Sequence, residues 1–479
     1  MTDAPKAGSG GPSEENLGAG PLPLLKALSS PAELRKAIAR NSLAVLIGAL
    51  TAANVLRIGN NLILTRLLAP EAFGIIGVIT AISVILAMLT DMGFNPFVIR
   101  SPRGHESRFL NVIWTVRLLR SALLTVLMIV LAGPLALAFG KPELEAPIRA
   151  SSFLFLIEGL RALSLTTALR ARRVSFVSVI EFVVTVIQMA ATLGAALIFK
   201  SYWAIIVGMY VGAATNAIFS YALFPGFVHR LAFDREIGKE LWAFSRLVIV
   251  SSIITVILGQ ADKVFIGRTL SLDALGLYML AVSLTNAGQH LVLTYVSRVL
   301  LPAYSQAARQ ARERLAAIYY SARWRLTLSL AFLLGGGAGG GHLLARILFD
   351  ERYLGAGIFI SLLSLGPLFL LVTRPAEQAL IALGKVRAAL EANVARLVWI
   401  AVAAPAGFHF FGIVGLVAAF ALIEAAAAPY WWARLRKEGL FNWVEEMAPM
   451  AAAALGASIA IVLDRLTDYL IAAGVLPSF

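Results

Sequence analysis

Apolar residues are gathered into runs of about 20 positions that recur along nearly the whole chain, separated by short polar segments. A helical run of that length crosses about 30 Å of hydrocarbon. The runs predict spans near 42–64, 73–95, 112–138, 148–168, 175–199, 203–224, 241–262, 274–300, 326–348, 356–380, 391–411 and 412–432. Another apolar segment covers 446–463, and the closing "DRLTDYLIAAGVLPSF" is short for a span of its own. The expectation is an all-α polytopic membrane protein with 12 core transmembrane helices and one or two more at the C-terminus.

Composition agrees: 59% of the residues are hydrophobic and 14% charged, against roughly half and a quarter in soluble domains. The formal charge of +14 is unevenly placed. Alternate loops hold Arg35, Lys36 and Arg40; Arg100, Arg103 and Arg108; Arg170, Arg172 and Arg173; Arg230, Arg235 and Lys239; and Arg309, Arg312, Arg314, Arg323 and Arg325. Lys385 and Arg387, then Arg434, Arg436 and Lys437, continue the series. The other loops hold only Arg66, Lys141, Lys200, Lys263, Arg268, Arg352 and Arg465, with Arg149 and Arg346 at span ends. The positive-inside rule places the rich set, and with it the N-terminus, in the cytoplasm. Basic loops therefore account for the charge without a nucleic-acid partner.

The first 30 residues, rich in Gly, Pro and Ser, read as a disordered cytoplasmic tail and not a signal peptide. A capping box at Ser30-Pro31-Ala32-Glu33 opens a short amphipathic helix over 31–41. No cysteine is present, the five histidines are scattered, and there is no phosphate-binding G-x-x-x-x-G-K-[ST] loop. The loops are too short for a soluble catalytic domain, so the expectation is a secondary transporter, not an enzyme, with no cofactor beyond a coupling Na⁺ or H⁺.

One phrase occurs twice. "RLLAPEAFGIIGVITAI" from Arg66 returns as "RTLSLDALGLYMLAVSL" from Arg268, and Leu68 and Leu270, Glu71 and Asp273, and Gly74 and Gly276 correspond at a constant offset of 202 residues. Six spans lie within that offset, so both copies fall on one membrane face and mark two six-helix lobes as parallel repeats. The lobes are an N-lobe at 42–226 and a C-lobe at 241–435, joined by a cytoplasmic loop at 227–240 and followed by an extension at 436–479. Arg66 and Arg268 would close helix C-termini, where cations suit the dipole. Gly74 and Gly276 would let another helix approach closely. The run "LLGGGAGGGHLL" at 333–344 reads equally as a hinge and as a helix-packing surface.

"NNLILTRLLAPEAFGIIGVITAISVILAMLTDMGF", "GQADKVFIGRTLSLDALGLYMLAVSLTNA" and "VSRVLLPAYSQ" resemble the polysaccharide transporter family of oligosaccharide flippases. That family belongs to the superfamily of multidrug, oligosaccharidyl-lipid and polysaccharide exporters. The resemblance covers about residues 40–435. It implies flipping of an undecaprenyl-diphosphate-linked oligosaccharide across the bacterial inner membrane for lipopolysaccharide or exopolysaccharide assembly. Membrane lipids and the polysaccharide polymerase and export machinery would be its further partners. The lipid II branch carries a charged pair where this chain has Asn60 and Asn61, which argues against lipid II. A cation-coupled multidrug exporter of the same fold is the other alternative, though it should show an anionic cavity.

Charged residues inside spans cost about 2.5–3.5 kcal/mol each at mid-span on insertion scales and tend to face water or one another. Arg57 shares a helical face with Asn60 and Asn61. Arg117, Arg120, Arg246, Arg298 and Arg374 complete the candidate set for a diphosphate-linked substrate, whose oxygens suit the guanidinium fork. Glu158 with Arg161, and Arg374 with Glu377, are spaced for internal ion pairs. Asp91, Asp262 and Glu377 are the candidates for ion coupling.

Overall fold

A computed structural model describes residues 42–224, 228–310, 312–385 and 387–473. The tail at 1–30 and the amphipathic helix expected at 31–41 lie outside them. Among the described residues every regular element is a helix.

The first half contains α1 (Ser42–Leu67), α2 (Pro70–Leu89), α3 (Phe94–Arg100), α4 (Ser107–Ala138), α5 (Glu145–Leu160), α6 (Ser164–Arg170), α7 (Val174–Phe199) and α8 (Trp203–Ala222). The second contains α9 (Arg235–Thr269), α10 (Leu272–Tyr295), α11 (Leu301–Gln310), α12 (Arg312–Ser321), α13 (Trp324–Gly339) and α14 (Gly341–Leu348). It continues with α15 (Ala356–Leu363), α16 (Leu365–Ala382), α17 (Arg387–Ala421), α18 (Ile423–Lys437) and α19 (Trp443–Ala472).

Among the described residues eight helical stretches are long and apolar enough to cross a membrane, or ten if two bent pairs each count as one span. One stretch, 387–437, folds back at Gly412, where φ is 59°, and so holds both spans expected at 391–411 and 412–432. Helix α10 falls outside the eight, because Asn286, Gln289 and His290 interrupt it. Each of the twelve expected core spans thus coincides with helix. The doubtful C-terminal region is a single continuous helix, α19, up to Ala472.

Helix α9 begins six residues before its expected span. The Asp234 side chain caps it by accepting from the Glu236 and Ile237 backbone N–H groups. Its first turns bury Ile237 and Leu241 against Phe97 and Phe109, which loop charges alone did not reveal.

The two halves pair their helices alike. Within the first, α1 packs on α7, α7 on α8, α4 on α5, and α5 on α8. The corresponding pairs in the second are α9 on α17, α17 on α18, α13 on α15, and α16 on α18. The halves meet along α2 and α10, over a core that includes Val78, Ile79, Leu275 and Tyr278, each no more than 1% exposed.

At that seam the repeated phrase meets itself. A methyl group on Gly74 would lie 2.0 Å from the Leu272 carbonyl oxygen and 3.2 Å from the Gly276 nitrogen. One on Gly276 would lie 1.9 Å from the Pro70 carbonyl oxygen and 3.2 Å from the Gly74 nitrogen. Each glycine is required by the other copy, and any side chain would force the lobes apart.

The glycine run is a packing surface. A methyl on Gly335 or Gly339 would strike the α19 backbone at Ala453 or Ala457, and one on Gly456 would lie 2.1 Å from the Phe332 carbonyl oxygen. Where the run ends, α13 and α14 meet at an 81° bend.

Candidate functional site

The lobe interface is lopsided. Helix α2 packs along α9 from the Val78–Gly267 contact down to Met92, whose carbonyl accepts from Ser245 Oγ at 2.9 Å. The counterpart pair, α1 and α10, touch far less. They meet through Leu64, Leu68 and Leu280, and through Asn61 Nδ2, which donates to Ser283 Oγ at 2.6 Å. One turn from Asn61 toward the rich-loop end, Arg57 is exposed on α1; Asn286 and His290 are exposed on α10 beyond Ser283. Asn60 keeps a buried side-chain oxygen without a partner. Exposed polar groups at membrane depth need water or a polar ligand, and this side of the interface presents them from both lobes.

The other candidate residues are dispersed. Arg246 is exposed on α9. Arg298 lies in a π-helical turn, Val296–Leu300, with one guanidinium nitrogen buried and unpartnered. Arg117 is 7% exposed on α4; it donates to the Gly159 carbonyl at 3.5 Å and leaves its Nε unsatisfied. Arg161 and Glu158 form an ion pair at 3.0 Å. Arg120 donates from Nε to the Thr90 carbonyl at 2.7 Å and to Thr90 Oγ1 at 3.0 Å, and from Nη2 to the Ala87 carbonyl, so its charge serves the C-terminus of α2. Arg57, Arg117 and Arg120 therefore sit in three different settings, and the structure does not gather them into one cluster.

In the C-lobe, Arg374 belongs to a four-membered ionic network. It meets Glu377 at 2.7 Å and Glu424 at 3.5 Å, while Arg396 meets Glu424 at 2.8 Å. Thr373 donates to Glu424 at 2.8 Å, and Arg396 donates to Asn393 at 2.7 Å. Two arginines and two glutamates cancel, which is how a chain keeps such charges in an apolar lobe. The i, i+3 spacing made the Arg374–Glu377 pair readable. Arg396 escaped the sequence reading because its partner is 28 residues away.

The three candidate coupling carboxylates differ in their partners. Glu377 is held by Arg374. Asp262, 8% exposed, accepts from the Tyr278 hydroxyl and lies 3.4 Å from Lys263 Nζ. Asp91 accepts from the Gly93 backbone at 2.9 Å and, across the lobes, from Ser252 Oγ at 3.1 Å. Among the described residues no group of three or more His, Asp or Glu side chains is placed to hold a metal ion.

At the end of the molecule that carries the repeated turns, a crevice of about 490 Å³ is lined by Arg66, Arg346, Phe349, Asp350, Glu351 and Thr467. Nearby, each lobe reaches into the other through cations that the sequence reading had only counted. Lys141 Nζ donates to the Gly267 carbonyl and, at 2.5 Å, to the Leu270 carbonyl. Arg352 Nη2 donates to the Thr65 carbonyl at 3.2 Å, and the Tyr353 hydroxyl to the Leu68 carbonyl at 2.8 Å.

Two solved structures share this architecture. A lipid II flippase, MurJ, in an inward closed conformation aligns with a TM-score of 0.70 over 89% of this chain and 93% of its own, at 12% identity. An inward-facing multidrug resistance MATE family transporter aligns at 0.60 over 81% and 98%, at 16% identity. Among sequence relatives, the succinoglycan biosynthesis transport protein ExoT of Rhizobium meliloti is 24% identical over 57% of this chain and 55% of its own. The teichuronic acid biosynthesis protein TuaB of Bacillus subtilis is 22% identical over 47% and 46%. The chain thus spans about half the length of the curated relatives it matches. A family model described as polysaccharide biosynthesis protein matches residues 63–332, more than half of the 479 and inclusive of both repeated turns. With its helices apolar enough to span a bilayer many times over, the chain is a multi-pass membrane protein that belongs to the polysaccharide biosynthesis protein family.

Proposed function

We propose that the protein flips an undecaprenyl-diphosphate-linked oligosaccharide from the cytoplasmic to the outer leaflet of the bacterial inner membrane, its two lobes giving alternating access. The observation that carries this reading is the sparsely packed side of the lobe interface, between α1 and α10. There, beyond the Asn61–Ser283 hydrogen bond, Arg57 on α1 and Asn286 and His290 on α10 are exposed. A lipid-linked sugar needs such a side opening, because its polar head must cross while its tail stays in the bilayer. The Arg57 guanidinium at the opening suits a diphosphate and would repel a cationic drug. Membership of a polysaccharide biosynthesis family supports a sugar cargo. The excess of basic residues in alternate loops supports an orientation with the repeated turns outside and the sparsely packed side towards the cytoplasm.

Replacing Arg57 with alanine is expected to leave the protein in the membrane at normal amount and to lower polysaccharide export at least tenfold, with Arg57→Lys in between. Normal export by Arg57→Ala would remove this arginine from the substrate path.

A further inference from the structure

The repeated phrase has a second use that its own lobe does not explain. The carbonyls held by Lys141 are those of Gly267 and Leu270; those held by Arg352 and Tyr353 are of Thr65 and Leu68. These two pairs of acceptors stand at the same 202-residue offset as the phrase itself. They are the C-terminal carbonyls of α9 and α1, which no further helical turn satisfies. The donors correspond too. Lys141 lies in the turn between α4 and α5, Arg352 in the turn between α14 and α15, and each stands four residues ahead of the helix that follows, at Glu145 and Ala356. Each lobe therefore offers a helix C-terminus to the other and receives one in return.

We infer that these two symmetry-related latches, Lys141 on the end of α9 and Arg352 with Tyr353 on the end of α1, hold the outer end of the lobe interface shut. Three features of the site fit a closure that releases as a unit. The acceptors are partly negative helix ends, which favour cations. The Tyr353 ring is fully buried and stands edge-on to Phe73 at 6.0 Å, next to the Gly74–Gly276 contact. Asp350, 3.0 Å from the same Arg352 nitrogen, holds that guanidinium in place, so it can return to its acceptor after release. Every bond in both latches crosses from one lobe to the other, so any outward opening must break them together. Lys141 and the pair Arg352–Tyr353 are positioning residues in this scheme and touch no substrate.

The inference rests on the transport reading only for the direction of opening, and its test needs no substrate. Because the chain lacks cysteine, Ser283→Cys supplies a single thiol, 11 residues into α10 and about 16 Å from its start at a helical rise of roughly 1.5 Å per residue. Intact cells are treated with a membrane-impermeant maleimide. External labelling should be slow in the parent. It should rise at least about tenfold when Lys141→Ala, Arg352→Ala and Tyr353→Phe are combined, given that hydrogen bonds from charged donors are the stronger ones. Lys141→Arg should restore slow labelling. Should the combined variant be lost from the membrane, Lys141→Gln and Arg352→Gln made separately give the same comparison with a smaller rise. Labelling no faster than the parent in membrane-inserted variants would overturn the latches and leave the flipping reading untouched. Faster labelling in a protein that moves no lipid-linked sugar would uphold the latches and count against that reading alone.

Discussion

His229, in the strand of chain that joins the lobes, shows how a single polar group ties that connection down. Its Nε2 accepts from the Leu163 backbone at 3.1 Å, so Nδ1 carries the proton and donates to Asn111 Oδ1 at 3.1 Å. The ring stacks on Trp114 at 5.4 Å, and Ala232 N donates to Thr115 Oγ1 at 3.0 Å a few residues on. Burial and, secondarily, the Arg117 cation push the imidazole down from its ordinary 6.5 to about 4. A depressed histidine leaves the unfolded chain binding the extra proton first, so stability should fall as pH drops from about 6.5 towards 4. Thermal unfolding in detergent across that range should show this slope, and His229→Gln should flatten it. Equal slopes in the two proteins would show that the linker contributes nothing to acid sensitivity. None of this was legible beforehand, since the imidazole's partners lie 66 and 118 residues away. Spacing revealed only the near pairs, Glu158–Arg161 and Arg374–Glu377.

Helices were far easier to read than contacts. Apolar length located most of the helical stretches able to cross a membrane, because a bilayer demands long continuous helices whose backbone groups satisfy themselves. What length could not settle was the end of the chain. Helix α19 is one span because the glycine run of α13 leaves a groove for its backbone at Ala453, Gly456 and Ala457. A buried ion pair pins its start: Arg323 Nη2 meets Glu446 Oε1 at 2.5 Å, with the Arg323 guanidinium 4.6 Å from the Tyr319 ring and 4.9 Å from that of Tyr320. Trp432 Nε1 donates to the second Glu446 oxygen at 3.2 Å. Removing one member of such a pair strands the other charge, at a cost of about 3–5 kcal/mol, whereas replacing both with apolar residues can be neutral. Glu446→Ala should therefore lower the unfolding temperature sharply, and Arg323→Met with Glu446→Leu should recover most of the loss. A double variant as unstable as the single one would mean that the pair does more than neutralise itself.

At the scale of the whole molecule, the repeat was the most informative line of text. Its 202-residue offset implied two equivalent halves, and four helix pairings of the first half recur in the second. The structure adds that the two copies touch, through Gly74 and Gly276, and that each lobe reaches across to the other's helix end. It also breaks the symmetry. Helix α2 and the turn after it, at Met92, pack along α9, while α1 and α10 touch far less. Sequence could not foresee this asymmetry, which arises from how the two halves dock and not from the pattern within either. Nor could it gather the arginines, whose settings range from the exposed Arg57 to the neutralised Arg374.

An export pathway stalled at the flipping step should leave its lipid-linked sugar on the wrong side. The direct measurement compares cells lacking the gene with cells carrying it, and asks which leaflet holds the lipid-linked oligosaccharide. The intermediate is expected to build up facing the cytoplasm and to move to the outer leaflet when the intact gene is restored. An unchanged leaflet distribution, with drug sensitivity altered instead, would contradict this and favour an exporter built on the same fold.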